Sequence, residues 1–106
     1  MSNWINVANI DEFSPNTIRY VTTQDNVSIL ITHVDGKYYA IENVCTHDGG
    51  TLSDGHLETD EIVCPRHGAH FCVRDGAVKS PPAYEDVATF AIRIVNDVVQ
   101  VCDERN

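Results

Sequence analysis

The stretch Cys45–His67, CTHDGGTLSDGHLETDEIVCPRH, decides how the chain is read. It opens on Cys45-Thr46-His47 and closes on Cys64-Pro65-Arg66-His67, with sixteen residues (48–63) between His47 and Cys64. Each end offers one thiol and one imidazole. Soft and borderline donors delivered in two such pairs imply a bound metal centre, because thiolates select iron or zinc and imidazole completes either coordination shell. With one or two residues between its donors, each box can wrap a metal closely while backbone N–H groups point toward electron-rich sulfur. Cysteine is also a common small buried residue and histidine a common surface one, but two boxes of the same composition at paired spacing point to a site. A structural zinc centre is the rival reading. Zinc fingers usually present both cysteines and then both histidines, whereas here the types alternate between boxes.

Outward from the boxes, the chain reads as strands and turns. KYYAIE (37–42) follows an Asp35-Gly36 hairpin turn that needs positive φ and runs directly toward Cys45. HLETDEIVC (56–64) reads as a hairpin turning near Thr59 and Asp60, its return strand ending at Cys64. Each box is thereby aimed by a rigid strand end. IRYVTT and VSILITHV are strands around a QDN turn, rich in β-branched residues. FCVRDGAVK forms a further hairpin around Asp75-Gly76, and SPPAYED is no central strand because its prolines lack N–H donors. TFAIRIVN places Phe90, Ile92 and Ile94 on one face and Arg93 on the other, and Asn96-Asp97 turns the chain into VVQV. Near the N-terminus an apolar stretch with Trp4, Ile5 and Val7 precedes a polar turn, with Trp4 expected to anchor one end of the core. His33 and His56 read as an ordinary strand histidine and an exposed one, and His70 as a neighbour of the site. No long helical pattern, internal repeat or low-complexity tail appears. The fold class is all-β, a small antiparallel protein of roughly two sheets, and strand pattern leaves sandwich and barrel both open.

A chain of 106 residues supports one domain, 1–106, with a modest core. The formal charge of −9 repels nucleic acid and anionic membrane surfaces and points to proteins with basic docking faces. Two of the four cysteines fall in the boxes, which argues against a disulfide framework and leaves Cys72 and Cys102 without an assigned role. MSNWINVANIDEF has no basic-then-apolar leader pattern, and no apolar run approaches the roughly eighteen residues of a membrane span. The expectation is a cytoplasmic, soluble monomer that makes transient protein contacts.

The order Cys, His, Cys, His at these gaps resembles the Rieske family of two-iron, two-sulfur (2Fe-2S) proteins, in which one iron is held by two cysteines and the other by two histidines. CTHDGGTLSDG and IVCPRHGAHFCVRDG are similar to that family's two cluster loops. The resemblance implies that Cys45 and Cys64 ligate the inner iron and His47 and His67 the outer one. It implies a small Rieske fold, with a cluster-binding subdomain at about residues 43–80 inside the single domain. It further implies that Leu52 shields the cluster and that Pro81 and Pro82 form a stiff third wall. The respiratory branch of the family carries an extra cysteine in each loop, joined as a disulfide; the matching positions here are Gly50 and Arg66. Its hydroxyl donors, a serine and a tyrosine, are matched by Ala69 and Phe71.

These departures make the chain similar to the soluble Rieske ferredoxins that pass electrons from a flavin-containing reductase to a terminal ring-hydroxylating oxygenase. The function implied is a one-electron carrier, an electron-transfer component with no catalytic residues of its own. The alternatives are a zinc-binding structural or regulatory module, or a small Rieske subunit of a nitrite reductase or related oxidoreductase system. Asp48, Asp54, Glu58, Asp60 and Glu61 lie in or beside the loops, so the docking side is expected to carry negative potential that complements basic rims on reductase and oxygenase.

Overall fold

In the computed structural model, which describes residues 3–106, the β-branched and aromatic runs form nine strands. They are β1 (Trp4–Asn9), β2 (Ile18–Thr22), β3 (Ser28–Val34), β4 (Lys37–Glu42), β5 (His56–Glu58), β6 (Glu61–Val63), β7 (His70–Cys72), β8 (Thr89–Val95) and β9 (Val98–Arg105). All pairings are antiparallel. A six-stranded sheet runs β1-β9-β8-β4-β3-β2, and a three-stranded sheet runs β5-β6-β7. The Asp35-Gly36 turn (φ 53° and 75°) and the Asn96-Asp97 turn (φ 50° and 66°) take up the left-handed backbone that two-residue hairpins require.

Strand β3 explains how the layers are arranged. Its residues alternate between two cores, as a strand buried on both faces must. Ile29 and Ile31 pack with Phe13, Ala40, Phe90, Val99 and Val101. Those partners lie mostly on β4, β8 and β9 of the same sheet, so the sheet curls round its own core. Leu30 and Val34 face the other way and pack with Ile41, Leu52, Ile62, Phe71 and Val73, alongside Cys45 and Cys64. This second core lies between the large sheet and the small one. Arg74 reinforces the junction: it meets Asp60 at the β5–β6 turn (3.1 Å), Asp35 at the β3–β4 turn (3.0 Å) and the Tyr39 hydroxyl (2.7 Å).

Several sequence expectations change in detail. The N-terminal apolar stretch is strand β1, paired with β9 and carrying a register shift between Asn6 and Ala8. Trp4 is half-buried outside both cores, its ring covered by the Arg93 guanidinium at 4.1 Å, and does not plug an end of the core. VVQV continues through Cys102 to Arg105, because β1 and β8 both pair with it. Ile94 ends up exposed, since β4 pairs with β8 only at Ala40↔Phe90 and Ile41↔Thr89 and leaves the far half of β8 uncovered. No described helix is long and apolar enough to cross a membrane. The reading of the N-terminal leader pattern rests partly on Met1 and Ser2, which lie outside the described residues.

A paired-loop metal centre

The two boxes fold into loops of one design. The Cys45 N–H donates to the Gly50 carbonyl (2.7 Å), and the Gly49 N–H donates back to the Cys45 carbonyl (2.7 Å). In the second box the Cys64 N–H donates to the Ala69 carbonyl (2.8 Å) and the Gly68 N–H to the Cys64 carbonyl (3.1 Å). Gly49 and Gly68 both have φ near the left-handed region, 76° and 74°, so the fifth position of each loop requires glycine. A third loop repeats this pattern. Cys72 donates to Ala77 (2.9 Å) and Gly76, at φ 75°, donates to Cys72 (2.8 Å). The shared pattern Cys-x-x-x-Gly-(Gly/Ala) is visible in CTHDGG, CPRHGA and CVRDGA, and sequence reading missed it. It also replaces the simple hairpin expected at Asp75-Gly76, since the return arm touches β7 only through the single bridge Phe71↔Val78. The third loop has no histidine, and its Asp75 carboxylate instead accepts the Ala77 N–H (2.9 Å).

The structure brings all the proposed ligand residues together. Cys45 and Cys64 are 0% and 1% exposed and lie in the core between the sheets. Their sulfur atoms and an Asp48 carboxylate oxygen all fall within 4.8 Å of one another. Ring nitrogens of His47 and His67 form a second such group around Asp48, with ring centroids 4.9 Å apart and nearly perpendicular. Both imidazoles are exposed at the rim. The site is thus graded from a dry thiol floor to a wet imidazole edge. Burial pushes the Cys45 thiol above its usual value, and the adjacent Cys64 adds to this, while the backbone N–H groups of His47 and Asp48 point at its sulfur and oppose the rise. Such a thiol gives up its proton when a metal takes the proton's place.

Asp48 is the central residue that sequence reading had assigned only to a docking rim. Its Oδ1 accepts the Gly50 N–H (3.0 Å) and its Oδ2 accepts Arg66 Nε (2.6 Å). These contacts, with the Gly50 N–H foremost and Arg66 next, hold its carboxyl below the usual carboxylate range. Being occupied in this way, Asp48 braces the site, and the donors left for metal are two thiols and two imidazoles. That set suits a two-iron group with one soft and one imidazole-bound iron.

The walls are apolar. Leu52, on the 3₁₀ turn Leu52–Asp54, is fully buried in the same core as both cysteines, as are Ala69 and Phe71. The proline loop closes the first box. Thr46 donates its hydroxyl to the Glu85 carbonyl (2.7 Å), and Ala83 and Val87 join the inter-sheet core. Pro82 lines a shallow cleft of about 330 Å³ with Thr46, His47, Tyr84 and Glu85. Pro82 is half-buried and Ala83 buried, while Pro81 is exposed. A larger cleft of about 610 Å³, lined by Asn16, Thr17, Ile18, Gly55, His56, Leu57 and Thr59, touches none of the four proposed ligand residues.

Residues 3–91 match the model of the Rieske [2Fe-2S] domain family. The biphenyl dioxygenase ferredoxin subunit of Pseudomonas sp. (strain KKS102) is 40% identical over 86 residues, covering 80% of this chain and 78% of that one. The ferredoxin component of the naphthalene 1,2-dioxygenase/salicylate 5-hydroxylase systems of Ralstonia sp is 35% identical over 94 residues, covering 89% of each. A solved structure described as the complex of reduced oxygenase and oxidized ferredoxin in carbazole 1,9a-dioxygenase superposes with a TM-score of 0.93 at 32% identity, covering 97% of this chain and 95% of that one. Family and donor set together favour the iron–sulfur cluster over the zinc alternative. The chain belongs to the Rieske [2Fe-2S] family, as an electron-carrying ferredoxin closely related to the ferredoxin components of ring-hydroxylating dioxygenases.

Proposed function

We propose that Cys45 and Cys64 hold the inner iron and His47 and His67 the outer iron of one 2Fe-2S cluster, and that the chain carries single electrons from a flavin-containing reductase to a terminal oxygenase. The observation that carries this reading is the gradient within one site: two thiols sealed in the core and two imidazoles open to solvent, delivered by loops of identical hydrogen bonding. When bound, the cluster supplies reversible one-electron chemistry. The chain supplies its setting. Leu52, Phe71 and Ala69 keep water from the thiolates, and the exposed edges of His47 and His67 give the shortest covalent path from the surface to the site. Residues of about 43–80 act as the cluster-binding subdomain of the single domain 1–106.

The docking face is the loop end, around the imidazoles. Tyr84 is 81% exposed there and shares the cleft with His47, Pro82 and Glu85. An exposed aromatic beside a proline makes an apolar contact centre of the kind protein interfaces use. The solved oxygenase–ferredoxin complex of carbazole 1,9a-dioxygenase supports a terminal oxygenase as one partner. The reductase, and the monomeric state in the cytoplasm, follow from the role of a shuttle between two larger proteins.

Anaerobic purification with iron, sulfide and electron paramagnetic resonance analysis tests the site. About two irons, about two sulfides and histidine nitrogen coupling in the reduced spectrum are expected; zinc without inorganic sulfide would refute it. Stopped-flow mixing of the reduced protein with a terminal ring-hydroxylating oxygenase tests the role, and no electron transfer to any such oxygenase would remove the partner assignment.

A further inference from the structure

The two ligand loops belong to different segments, and no backbone hydrogen bond of the described residues joins residues 45–50 directly to residues 64–69. His67 packs edge-on against His47 and comes within 3.9 Å of Asp48, but among the described residues the side-chain hydrogen bonds that cross the gap all come from Arg66. Arg66, from the second loop, donates Nε to Asp48 of the first loop (2.6 Å) and Nη2 to the Thr51 carbonyl beyond it (3.4 Å). The same Nη2 points back at the sulfur of Cys64 at 3.8 Å. Gly50 makes room for this: a Cβ at that position would overlap the Arg66 guanidinium. Gly50 lacks the positive φ of its neighbour Gly49, so its backbone has no conformational need for glycine, and the close approach of Arg66 accounts for the missing side chain.

We infer that Arg66 is a positioning residue that clasps the two ligand loops through Asp48 and directs an N–H at the Cys64 sulfur, and that this clasp sets both how firmly the cluster is retained and its reduction potential. The inference rests on the cluster reading above. A planar guanidinium suits the role because its fixed fork can serve a carboxylate on one side and other acceptors on the next; a lysine ammonium has no such fork. A fixed N–H directed at a cysteine sulfur stabilises the more negative, reduced cluster and so raises the midpoint. The ion pair alone, at a surface, would contribute little. Its effect comes from joining two loops that each hold half of the ligand set.

The test uses holoprotein variants Arg66→Met, Arg66→Lys and Gly50→Ala, with the midpoint read by voltammetry and cluster release by loss of visible absorbance under an iron chelator. Gly50→Ala leaves both charges in place and only evicts the guanidinium. The clasp predicts faster release in all three variants and a lower midpoint in all three. The fall should approach tenfold in the one-electron equilibrium constant, about 59 mV. If only Arg66→Met shifts while Arg66→Lys and Gly50→Ala keep the wild-type midpoint and release rate, net charge alone acts and the inference is overturned. Wild-type behaviour of all three also overturns it. A variant that keeps its far-ultraviolet β-sheet signal but assembles no cluster supports the clasp. A variant that loses the sheet signal as well overturns it, because both loops lie outside the strands. Failure of the wild-type protein to bind any cluster would instead refute the ligand assignment, and so is told apart from failure of the clasp.

Discussion

Leu52→Ala is the substitution that most directly tests whether the cluster floor and the inter-sheet core are one unit. Leu52 is fully buried and packs in the core that contains Cys45, Cys64, Ile62 and Phe71. The change removes three carbons, which at about 0.8 kcal/mol each gives about 2.4 kcal/mol of lost burial. The cavity left behind raises this toward the range of about 2.7–5.0 kcal/mol found for buried leucines. Taking about 3 kcal/mol, and about 4–8 °C per kcal/mol for a domain near this size, the melting temperature should fall by about 12–24 °C. The cavity adjoins both thiols, so the cluster should leave in the same transition. Thermal melts of the holoprotein followed in parallel by far-ultraviolet circular dichroism and visible absorbance make the measurement. Ile94→Ala, at a side chain 51% exposed, is the control and should stay within about 0.5 kcal/mol of wild type. A Leu52→Ala protein that melts within a few degrees of wild type, or whose sheet melts early while its cluster persists to the wild-type temperature, would refute the reasoning.

Three further outcomes are expected. With buried Ala69 and Phe71 offering no hydroxyl to the cluster, the midpoint should lie near the low end of the Rieske range, on the order of −150 mV, and a clearly positive value by voltammetry would show that other donors dominate. Asp75 is held below the usual carboxylate range, first by the Ala77 N–H, so its contribution to stability is complete above the ordinary carboxylate value and is lost as pH falls through the lowered one. Denaturation midpoints should therefore fall less steeply on acidification in Asp75→Asn than in wild type, and parallel pH profiles would contradict this. Raising ionic strength from about 0.01 M to about 0.15 M shortens the screening length from roughly 30 Å to roughly 8 Å and should slow reduction by the reductase; Glu85→Lys should flatten that salt dependence more than Glu104→Lys on strand β9, and equal slopes would remove Glu85 from the docking face.

Much of the fold was legible because its signals are local. Asp35-Gly36 and Asn96-Asp97 demand positive φ, and the β-branched richness of β3 and the alternation in β8 mark strands whatever they pack against. The four proposed ligand residues stood out because coordination constrains both residue type and spacing, and the fold brings them together. What stayed hidden depends on partners far apart in sequence. Strand β1 exists because β9, almost a hundred residues later, supplies its hydrogen bonds, and its own pattern of intermediate burial carries little alternation. The exposure of Ile94 follows from where β4 stops pairing with β8, which no pattern in TFAIRIVN reveals. Nothing in CPRH says that the Arg66 guanidinium crosses to Asp48 of the other loop. The recurrence of Cys-x-x-x-Gly-(Gly/Ala) is local and readable, although only two of the three loops that carry it also carry a histidine between the Cys and the Gly.

The acidic balance shows how composition and geometry answer different questions. A total of −9 suggested that the carboxylates around the loops form a negative rim. In the fold each of them already has a polar partner, and two of them, Asp48 and Asp60, meet a guanidinium. Asp48 meets Arg66, Glu58 meets His56, Asp60 meets Arg74, Glu61 meets His70, and Asp54 accepts the Thr51 hydroxyl. The two guanidinium pairs, at Asp48 and Asp60, cancel field at short range while the whole-molecule charge still acts at a distance, where pairs blur together. Glu85 stands apart: among the described residues no cation meets its side chain, and it lies beside His47, Pro82 and Tyr84. The two ranges therefore divide the work of association. On the docking face proposed above, net charge would draw a basic partner toward the molecule, and at contact the exposed Tyr84, the imidazole edges and the Glu85 carboxylate would select the orientation that places the cluster against it.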